Sequence, residues 1–141
     1  MYHTIIIVGN LGRDPEMRYT PSGQPVTSFN VATNRTYTGN NGQTVKETIW
    51  FKISVWGKQA ESCNNYLRKG SKVLIEGRLQ ADPNSGGPRT FSRQDGTTGA
   101  NFEVVANQIR FLTPKSGDDE NYSAGSAPDY SPTSGDEEIP F

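Results

Sequence analysis

The sequence predicts an all-β domain, a five-stranded antiparallel barrel with one short helix between the third and fourth strands. Several segments carry apolar residues at the two-residue period of β-strands. A single segment, Lys58–Lys69, changes to the period of a helix. Turn sequences rich in Gly, Asn, Asp and Pro separate these segments, and such residues typically punctuate the strands of β proteins.

Three strands are predicted before the helix. The short apolar run Thr4–Asn10 predicts a strand that is buried on both faces. A brief extended piece at Met17–Tyr19 precedes the second strand, Val26–Tyr37. The polar segment Thr38–Gln43 is typical of a hairpin connection, so the third strand, Val45–Lys58, should form an antiparallel arm with the second.

The only predicted helix runs from Lys58 to Lys69. Arg68 and Lys69 suit its last turn, and Gly70 suits the position that follows a helix. Four residues fall on the face that we expect to be buried, namely Ala60, Cys63, Tyr66 and Leu67.

Two further strands are predicted after the helix, Ser71–Gln80 and Asn101–Leu112, separated by a loop at Ala81–Pro88 and a short extended piece at Arg89–Arg93. A five-stranded barrel with its helix in this position matches the OB-fold, whose central strands and neighbouring loops bind oligonucleotides and oligosaccharides. A β-sandwich is the alternative, which a helix in the middle of the chain disfavours.

The third strand has two different faces. One is uniformly apolar and should lie on the core: Ile49, Phe51, Ile53 and Val55. The other carries both tryptophans of the protein: Trp50, Lys52, Ser54 and Trp56. Unpaired bases stack on aromatic rings while the phosphates beside them require cations, so this second face fits a single strand of nucleic acid. A strand buried on both faces and a subunit interface, where tryptophan is enriched, are the alternatives.

A second cluster of aromatic and basic residues favours the nucleic-acid interpretation. Phe91 lies between Arg89 and Arg93, which are two residues away on either side and should share its face. Tyr37 adds a fourth ring in the hairpin arm. Six more basic residues are candidates for phosphate contacts: Arg18, Arg35, Lys58, Arg68, Lys69 and Lys72. An OB domain that binds oligosaccharides would favour aromatic residues without so many cations.

The net charge of −1 conceals a division between a basic body and an acidic tail. Residues 1–114 hold 13 Lys and Arg against 8 Asp and Glu, a net charge of +5, and are predicted to form the barrel domain. Residues 115–141 hold one Lys and 7 acids, a net charge of −6. Residues 115–135 are rich in Ser, Gly, Pro and acid, a composition that predicts a disordered linker.

The chain ends in an acidic and hydrophobic tip formed by Asp136, Glu137, Glu138, Ile139, Pro140 and Phe141. An aromatic anchor, a terminal carboxylate and adjacent acids are typical of a short motif that a partner protein recognises. We therefore expect the tail and the basic body to bind partners of opposite character.

No catalytic constellation is visible in the sequence. His3 is the only histidine, the acids of the body are scattered, and the glycine-rich segments lack the lysine and hydroxyl of a phosphate-binding loop. We therefore expect no enzyme activity, cofactor or metal. Cys63 is the only cysteine, which fits a reducing compartment. No signal peptide or membrane-spanning run is visible.

Four segments carry the motifs of one known family. They are IIIVGNLGRDPEMRYTPSG (Ile5–Gly23), TIWFKISVWGKQAE (Thr48–Glu61), YLRKGSKVLIEGRL (Tyr66–Leu79) and the terminal DEEIPF. Together they resemble the bacterial single-stranded DNA-binding protein (SSB) family, over residues 1–112 and the last six residues. The resemblance implies an OB domain, usually assembled as a homotetramer around which single-stranded DNA wraps. It also implies that the tip docks on replication, recombination and repair proteins, and a cytoplasmic, nucleoid-associated location.

The resemblance also implies roles for individual residues. Trp50 and Trp56 match the two stacking aromatics of the central strand, Tyr37 stands where a tryptophan is common, and Phe91 occupies the remaining stacking position. Three residues match basic positions near the DNA path: Lys58, Arg68 and Lys69. The segment ADPNSGGPRTF (Ala81–Phe91) is longer than the family pattern and affects the placement of Phe91 and its flanking arginines.

Overall fold

In the computed structural model, which describes residues 1–113, seven strands and one helix follow one another along the chain. The strands are β1 (Ile5–Leu11), β2 (Glu16–Tyr19), β3 (Pro25–Thr38), β4 (Thr44–Trp56), β5 (Lys72–Leu79), β6 (Arg89–Ser92) and β7 (Thr98–Phe111). The helix, α1 (Lys58–Tyr66), lies between β4 and β5. The five predicted strands are therefore β1, β3, β4, β5 and β7, and the two short extended pieces form β2 and β6.

The five long strands close into a barrel. β1, β5, β7, β4 and β3 are hydrogen-bonded in that order, and β1 pairs again with β3 where Asn10 meets Ala32. This closure confirms the predicted OB barrel with its single short helix and is incompatible with a β-sandwich. Four of the five pairings are antiparallel, whereas residues 51–54 of β4 run parallel to residues 102–105 of β7. The sequence did not reveal this parallel pairing, because contacts between distant strands leave no local pattern.

β3 and β4 form the antiparallel arm that the sequence predicts. They pair without a break from Val26 and Trp56 to Thr38 and Thr44. The half of the arm near the barrel buries alternate residues, whereas the half near the hairpin is exposed on both faces. The arm therefore extends beyond the barrel core.

The barrel interior is filled by branched aliphatic side chains and one phenylalanine. These residues are Ile7, Leu11, Phe29, Val31, Ile53, Val55, Val73, Ile75 and Val104. Cys63 of α1 and Leu67, just after the helix, pack against this cluster, and Thr27 Oγ1 donates a buried hydrogen bond of 2.7 Å to the Ala60 carbonyl. Burial of each large apolar side chain stabilises the fold by roughly 1.5–3 kcal/mol.

The prediction that the first strand is buried on both faces is wrong for this chain. Ile7 and Leu11 point into the barrel, but Ile6 is 64% exposed and Val8 is 50% exposed. A strand of a closed barrel presents alternate residues to the interior and the exterior. A continuous apolar run cannot reveal which face is covered, and no part of residues 1–113 covers this one.

The helix is shorter than predicted. It ends at Tyr66, because Leu67 adopts an extended conformation (φ −87°, ψ 145°) while its N–H still donates to the Cys63 carbonyl at 3.0 Å. Arg68 and Lys69 therefore lie after the helix and not in its last turn. The predicted burial of Tyr66 is also wrong: this residue is 60% exposed, and its ring centroid lies 6.3 Å from that of Phe111.

Among residues 1–113, no helix is long and apolar enough to cross a membrane. The predicted linker (residues 115–135) and the predicted tip (Asp136–Phe141) lie outside the described residues.

Candidate nucleic-acid interface

The outward face of β4 carries the two tryptophans on the surface. Trp50 is 51% exposed and Trp56 is 42% exposed, which excludes burial of both faces of this strand within the chain. On the opposite face, Ile53 and Val55 are buried in the core as expected. Ile49, predicted to lie on the core, is instead 36% exposed, because it belongs to the part of the arm beyond the barrel. Phe51 lies between these extremes and contacts Phe102, with 5.9 Å between ring centroids.

Strand register extends this outward face across β3 and β2. Directly paired residues of neighbouring strands point to the same side of a sheet. The residues of β3 opposite Trp56, Ser54, Lys52 and Trp50 are Val26, Ser28, Asn30 and Ala32. Arg18 of β2 pairs in turn with Val26. The predicted phosphate contact Arg18 therefore lies on the same side as the tryptophans.

Register extends the same face in the other direction to β7 and β6. Lys52 of β4 is opposite Glu103 of β7. Gly99 and Asn101 of β7 point to the same side of the sheet as Glu103, because they are four and two residues away from it along the strand. Gly99 pairs with Phe91 of β6, and Asn101 pairs with Arg89. We call this continuous surface the aromatic face. Its main side chains are Arg18, Trp50, Lys52, Trp56, Arg89, Phe91 and Glu103.

Two of its rings lie directly on glycines. A β-carbon built on Gly12 would be 2.5 Å from Cζ3 of Trp50, and one built on Gly99 would be 2.5 Å from Cζ of Phe91. These glycines let each ring approach the backbone of a neighbouring segment more closely than a side chain would allow. Arg93 covers the Phe91 ring, with its Cζ atom 5.6 Å from the ring centroid, a cation–π contact. Neither glycine was singled out as functional from the sequence, where both appear as turn residues.

A nearly buried acid sits between two cations of the aromatic face. Glu103 is 9% exposed, its Oε1 atom lies 3.4 Å from Lys52 Nζ, and its Oε2 atom lies 3.6 Å from Arg89 Nε. Sequence reasoning missed Glu103, because only the parallel register of β4 and β7 places it beside Lys52. Locally, the sequence shows only that Glu103 lies in the last strand and points to the same side as Asn101.

Tyr37 and Arg35 do not lie on the aromatic face. They pair with Val45 and Glu47 of β4, which have the opposite parity to Trp50. Arg35 Cζ lies 5.0 Å from the centroid of the Tyr37 ring, which is 42% exposed. These two candidates thus form a separate cation–π pair on the other side of the β3–β4 arm.

The remaining basic candidates, Lys58, Arg68, Lys69 and Lys72, are exposed. The backbone N–H of Lys69 donates to Asp14 Oδ1 at 2.7 Å, which ties its turn to the loop containing Gly12. Arg68 donates to the carbonyls of Leu67 at 2.7 Å and Asn64 at 3.1 Å.

Two lysines complete this set. Lys58 begins α1, two residues after Trp56. Lys72 pairs with Asn10, the same residue that pairs with Ala32 at the closure of the barrel. Since Ala32 lies opposite Trp50, register places Lys72 on the outward side of the barrel, next to the aromatic face.

Two acids near β6 accept hydrogen bonds from the backbone of their own loops. Asp95 accepts hydrogen bonds from the hydroxyl and the backbone N–H of Thr97, which lower its carboxyl pKa and fix the turn into β7. The pKa of Asp82 is lowered mainly by hydrogen bonds from the backbone N–H groups of Asn84 and Ser85. These contacts fix the two loops on either side of β6.

The described residues offer little that could act as a nucleophile or metal site. Burial raises the pKa of the Cys63 thiol to about 12, so this thiol remains protonated at neutral pH. Within residues 1–113 no three His, Cys, Asp or Glu side chains form a group that could hold a metal ion. The arrangement is that of a binding surface.

A model of the single-strand binding protein family matches residues 2–112, almost the whole of the described chain. The chain belongs to the single-strand binding protein family. The resemblance stated from the sequence motifs is therefore confirmed, and the family description and the names of relatives denote binding proteins, in agreement with the expectation of no enzyme activity.

Curated relatives are similar over most of the chain. A single-stranded DNA-binding protein of Neisseria meningitidis is 40% identical over 124 residues, covering 88% of this chain and 64% of the relative. Single-stranded DNA-binding protein 1 of Staphylococcus aureus is 44% identical over 119 residues, covering 84% of this chain and 70% of the relative. The chain thus spans about two thirds of the length of these relatives.

Solved structures agree with the barrel. A deletion mutant of the single-stranded DNA binding protein from Thermus aquaticus superposes with a TM-score of 0.60 at 27% identity, covering 78% of this chain and 50% of that chain. A Plasmodium falciparum SSB in complex with single-stranded DNA gives a TM-score of 0.66, covering 80% of this chain and 97% of that chain. At 23% identity, the second comparison supports the fold alone.

Proposed function

We propose that this chain binds single-stranded DNA without sequence preference and protects it during replication, recombination and repair. The observation that carries the proposal is the aromatic face, where exposed Trp50, Trp56 and Phe91 share one continuous surface with cations of β2, β4 and β6. Membership of the single-strand binding protein family supports it.

The chemistry of the aromatic face suits unpaired bases. Every base has a flat π-face, so stacking tolerates any sequence and contributes roughly 1–3 kcal/mol per base. Trp50 and Trp56 are six residues apart on one strand, which separates them by about 20 Å at roughly 3.3 Å per residue. They therefore stack on different bases of one strand. Ser54 lies between them and can donate a hydrogen bond to a base or sugar.

Intrinsic tryptophan fluorescence during titration with oligo-dT tests this function. We expect quenching of both exposed tryptophans and a binding constant that falls with salt, at a slope of about −0.7 per neutralised phosphate. Unchanged fluorescence, or equal affinity for duplex DNA, would refute the proposal.

We also propose the homotetramer and the recruiting tip that the family resemblance implies. Removal of Pro140 and Phe141 should abolish binding of replication, recombination and repair proteins and leave oligo-dT binding intact. Loss of oligo-dT binding in that variant would contradict this division of labour. A cytoplasmic, nucleoid-associated location follows from the proposed function.

The alternative role for the tryptophans is a subunit interface of a protein-interaction module. Trp50→Ala distinguishes the two roles, because on our proposal it lowers oligo-dT affinity and leaves the oligomeric mass unchanged. Dissociation of the oligomer at unchanged affinity per subunit would favour the alternative.

A further inference from the structure

The Glu103 carboxylate is the one acid of residues 1–113 that bridges two cations, and its partners come from different strands. Lys52 belongs to β4 and Arg89 to β6, and each contacts a different oxygen of Glu103. A carboxylate at this place is unexpected on a surface proposed to bind phosphates, because its charge repels them. It calls for a physical explanation.

The geometry leaves both cations free to bind a second anion. The Lys52 and Arg89 side chains are 45% and 44% exposed, whereas that of Glu103 is only 10% exposed. An ammonium group has three N–H donors and a guanidinium has five. Glu103 faces Lys52 with one oxygen, and it meets Arg89 at Nε, so the terminal nitrogens of the guanidinium are not engaged by Glu103. Because both cationic side chains are far more exposed than Glu103, solvent and a second anion can approach their remaining donors.

A phosphate is not expected to draw Lys52 and Arg89 completely away from Glu103. If both cations moved away, a nearly buried carboxylate would lose its partners, which is costly. The ion pairs are also longer than the 2.7–2.9 Å of the tightest charged hydrogen bonds, so the cations can share their donors without leaving Glu103. Asp82 is the other acid near Arg89, and it is held by the backbone of its own loop.

We propose that Glu103 is a positioning residue that holds Lys52 and Arg89 side by side as a phosphate-binding pair between the tryptophans of β4 and Phe91 of β6. It acts through these cations and does not touch DNA. Two flexible side chains are thereby ordered before the strand arrives, and immobilisation of such chains otherwise opposes binding. The inference rests on the proposed function and deepens it.

Glu103→Gln should change the oligo-dT affinity in opposite directions for the two possible roles of this acid. If Glu103 positions the cations, oligo-dT affinity should fall by about two- to ten-fold for each long side chain that must then be ordered on binding. If Glu103 only repels phosphate, its neutralisation should increase the affinity.

Glu16→Gln is the matched control. Glu16 lies on the same side of β2 as Arg18, is exposed and pairs only with Arg13 at 3.8 Å, so its neutralisation should slightly increase affinity.

The cations supply a test that does not depend on the Glu103 variant folding. Lys52→Gln and Arg89→Gln should each reduce the salt slope of oligo-dT binding by about 0.7, the value for one phosphate on a single strand. In the Lys52→Gln/Arg89→Gln background, Glu103→Gln should no longer lower the affinity. Circular dichroism and urea unfolding verify the fold of each variant.

Three results would overturn the inference: tighter or unchanged binding by Glu103→Gln, salt slopes unaffected by both cation variants, or a loss of affinity by Glu103→Gln that persists without the cations. Each is distinguishable from failure of the proposed function, in which the unmodified chain itself would not bind oligo-dT.

Discussion

The Trp50 ring lies on Gly12, with only 2.5 Å between Cζ3 of the ring and the place where a side chain at residue 12 would begin. The loop after β1 is thus a support for the ring. Because Trp50 is 51% exposed, the ring can move away from an obstacle at little cost to the core. Its orientation should therefore depend on Gly12 more than the stability of the fold does.

Gly12→Ala should displace the Trp50 ring and weaken oligo-dT binding, by up to the roughly 1–3 kcal/mol that one stacked base contributes. The free energy of unfolding should change by less than about 1 kcal/mol, because no backbone atom obstructs the new methyl group. Fluorescence titration and urea unfolding measure the two quantities. Gly87→Ala is the control, since only Ser85 Oγ approaches that position, at 3.6 Å. Full affinity in Gly12→Ala would show that the loop does not orient the ring.

Phe91 and Gly99 should behave as one unit in DNA binding. Phe91→Ala is expected to lower oligo-dT affinity by roughly 1–3 kcal/mol, the loss of one stacked base. Gly99→Ala should also lower it, because the added methyl group would meet the Phe91 ring. A double-mutant cycle measured by isothermal titration checks the coupling. In the Phe91→Ala background, Gly99→Ala should have almost no further effect, and an additive loss would place the role of Gly99 elsewhere.

Tyr37 should matter only for DNA long enough to pass around the arm. It lies on the opposite side of β3–β4 from Trp50, so a short strand on the aromatic face does not reach it. Tyr37→Ala should leave the affinity for an oligo-dT of about five nucleotides unchanged and lower that for strands well beyond the roughly 4–16 nucleotides of one OB domain. Trp50→Ala, as the comparison variant, should weaken binding of both lengths. Equal losses for both lengths in Tyr37→Ala would contradict the separation of the two sides.

Cys63 should make the fold sensitive to alkaline pH. The thiol has an ordinary pKa of 9.0 and a folded pKa of about 12, so above pH 9 the unfolded chain binds fewer protons than the folded chain. Stability from this group is thus complete below about pH 9 and falls as pH rises towards 12, by up to about 1.4 kcal/mol per pH unit. Urea unfolding at about pH 8 and about pH 10.5 measures the loss. Cys63→Ala should be less stable at the lower pH but lose less stability on going to the higher one, and parallel losses in both proteins would refute the linkage.

The alternation of side chains in β4 was sufficient to predict the tryptophan face, because a strand with one buried side repeats every two residues. The same alternation in β3 places Tyr37 on the side of the buried Phe29 and Val31, so its position on the other side of the arm could have been predicted, but it was not recognised from the sequence. Alternation could not reveal Glu103, because the parallel pairing of β4 with β7 joins residues 51 positions apart. The exposure of Ile6 and Val8 had no local signal, because residues 5–8 are all apolar. The early end of the helix also went unpredicted, because Leu67 is buried as expected but adopts an extended conformation.

The parallel pairing of β4 with β7 also determines when the binding surface can form. The β3–β4 hairpin, with both tryptophans, is complete by residue 56. Its other edge can pair with β7 only after residues 102–105 have been synthesised and have folded onto β4. Such non-local pairing forms slowly in folding, because a long loop must close first. A nascent or partly unfolded chain therefore presents its tryptophans without Glu103 and Arg89 beside them. On the proposed function, tight binding of DNA should then be restricted to chains whose barrel has closed.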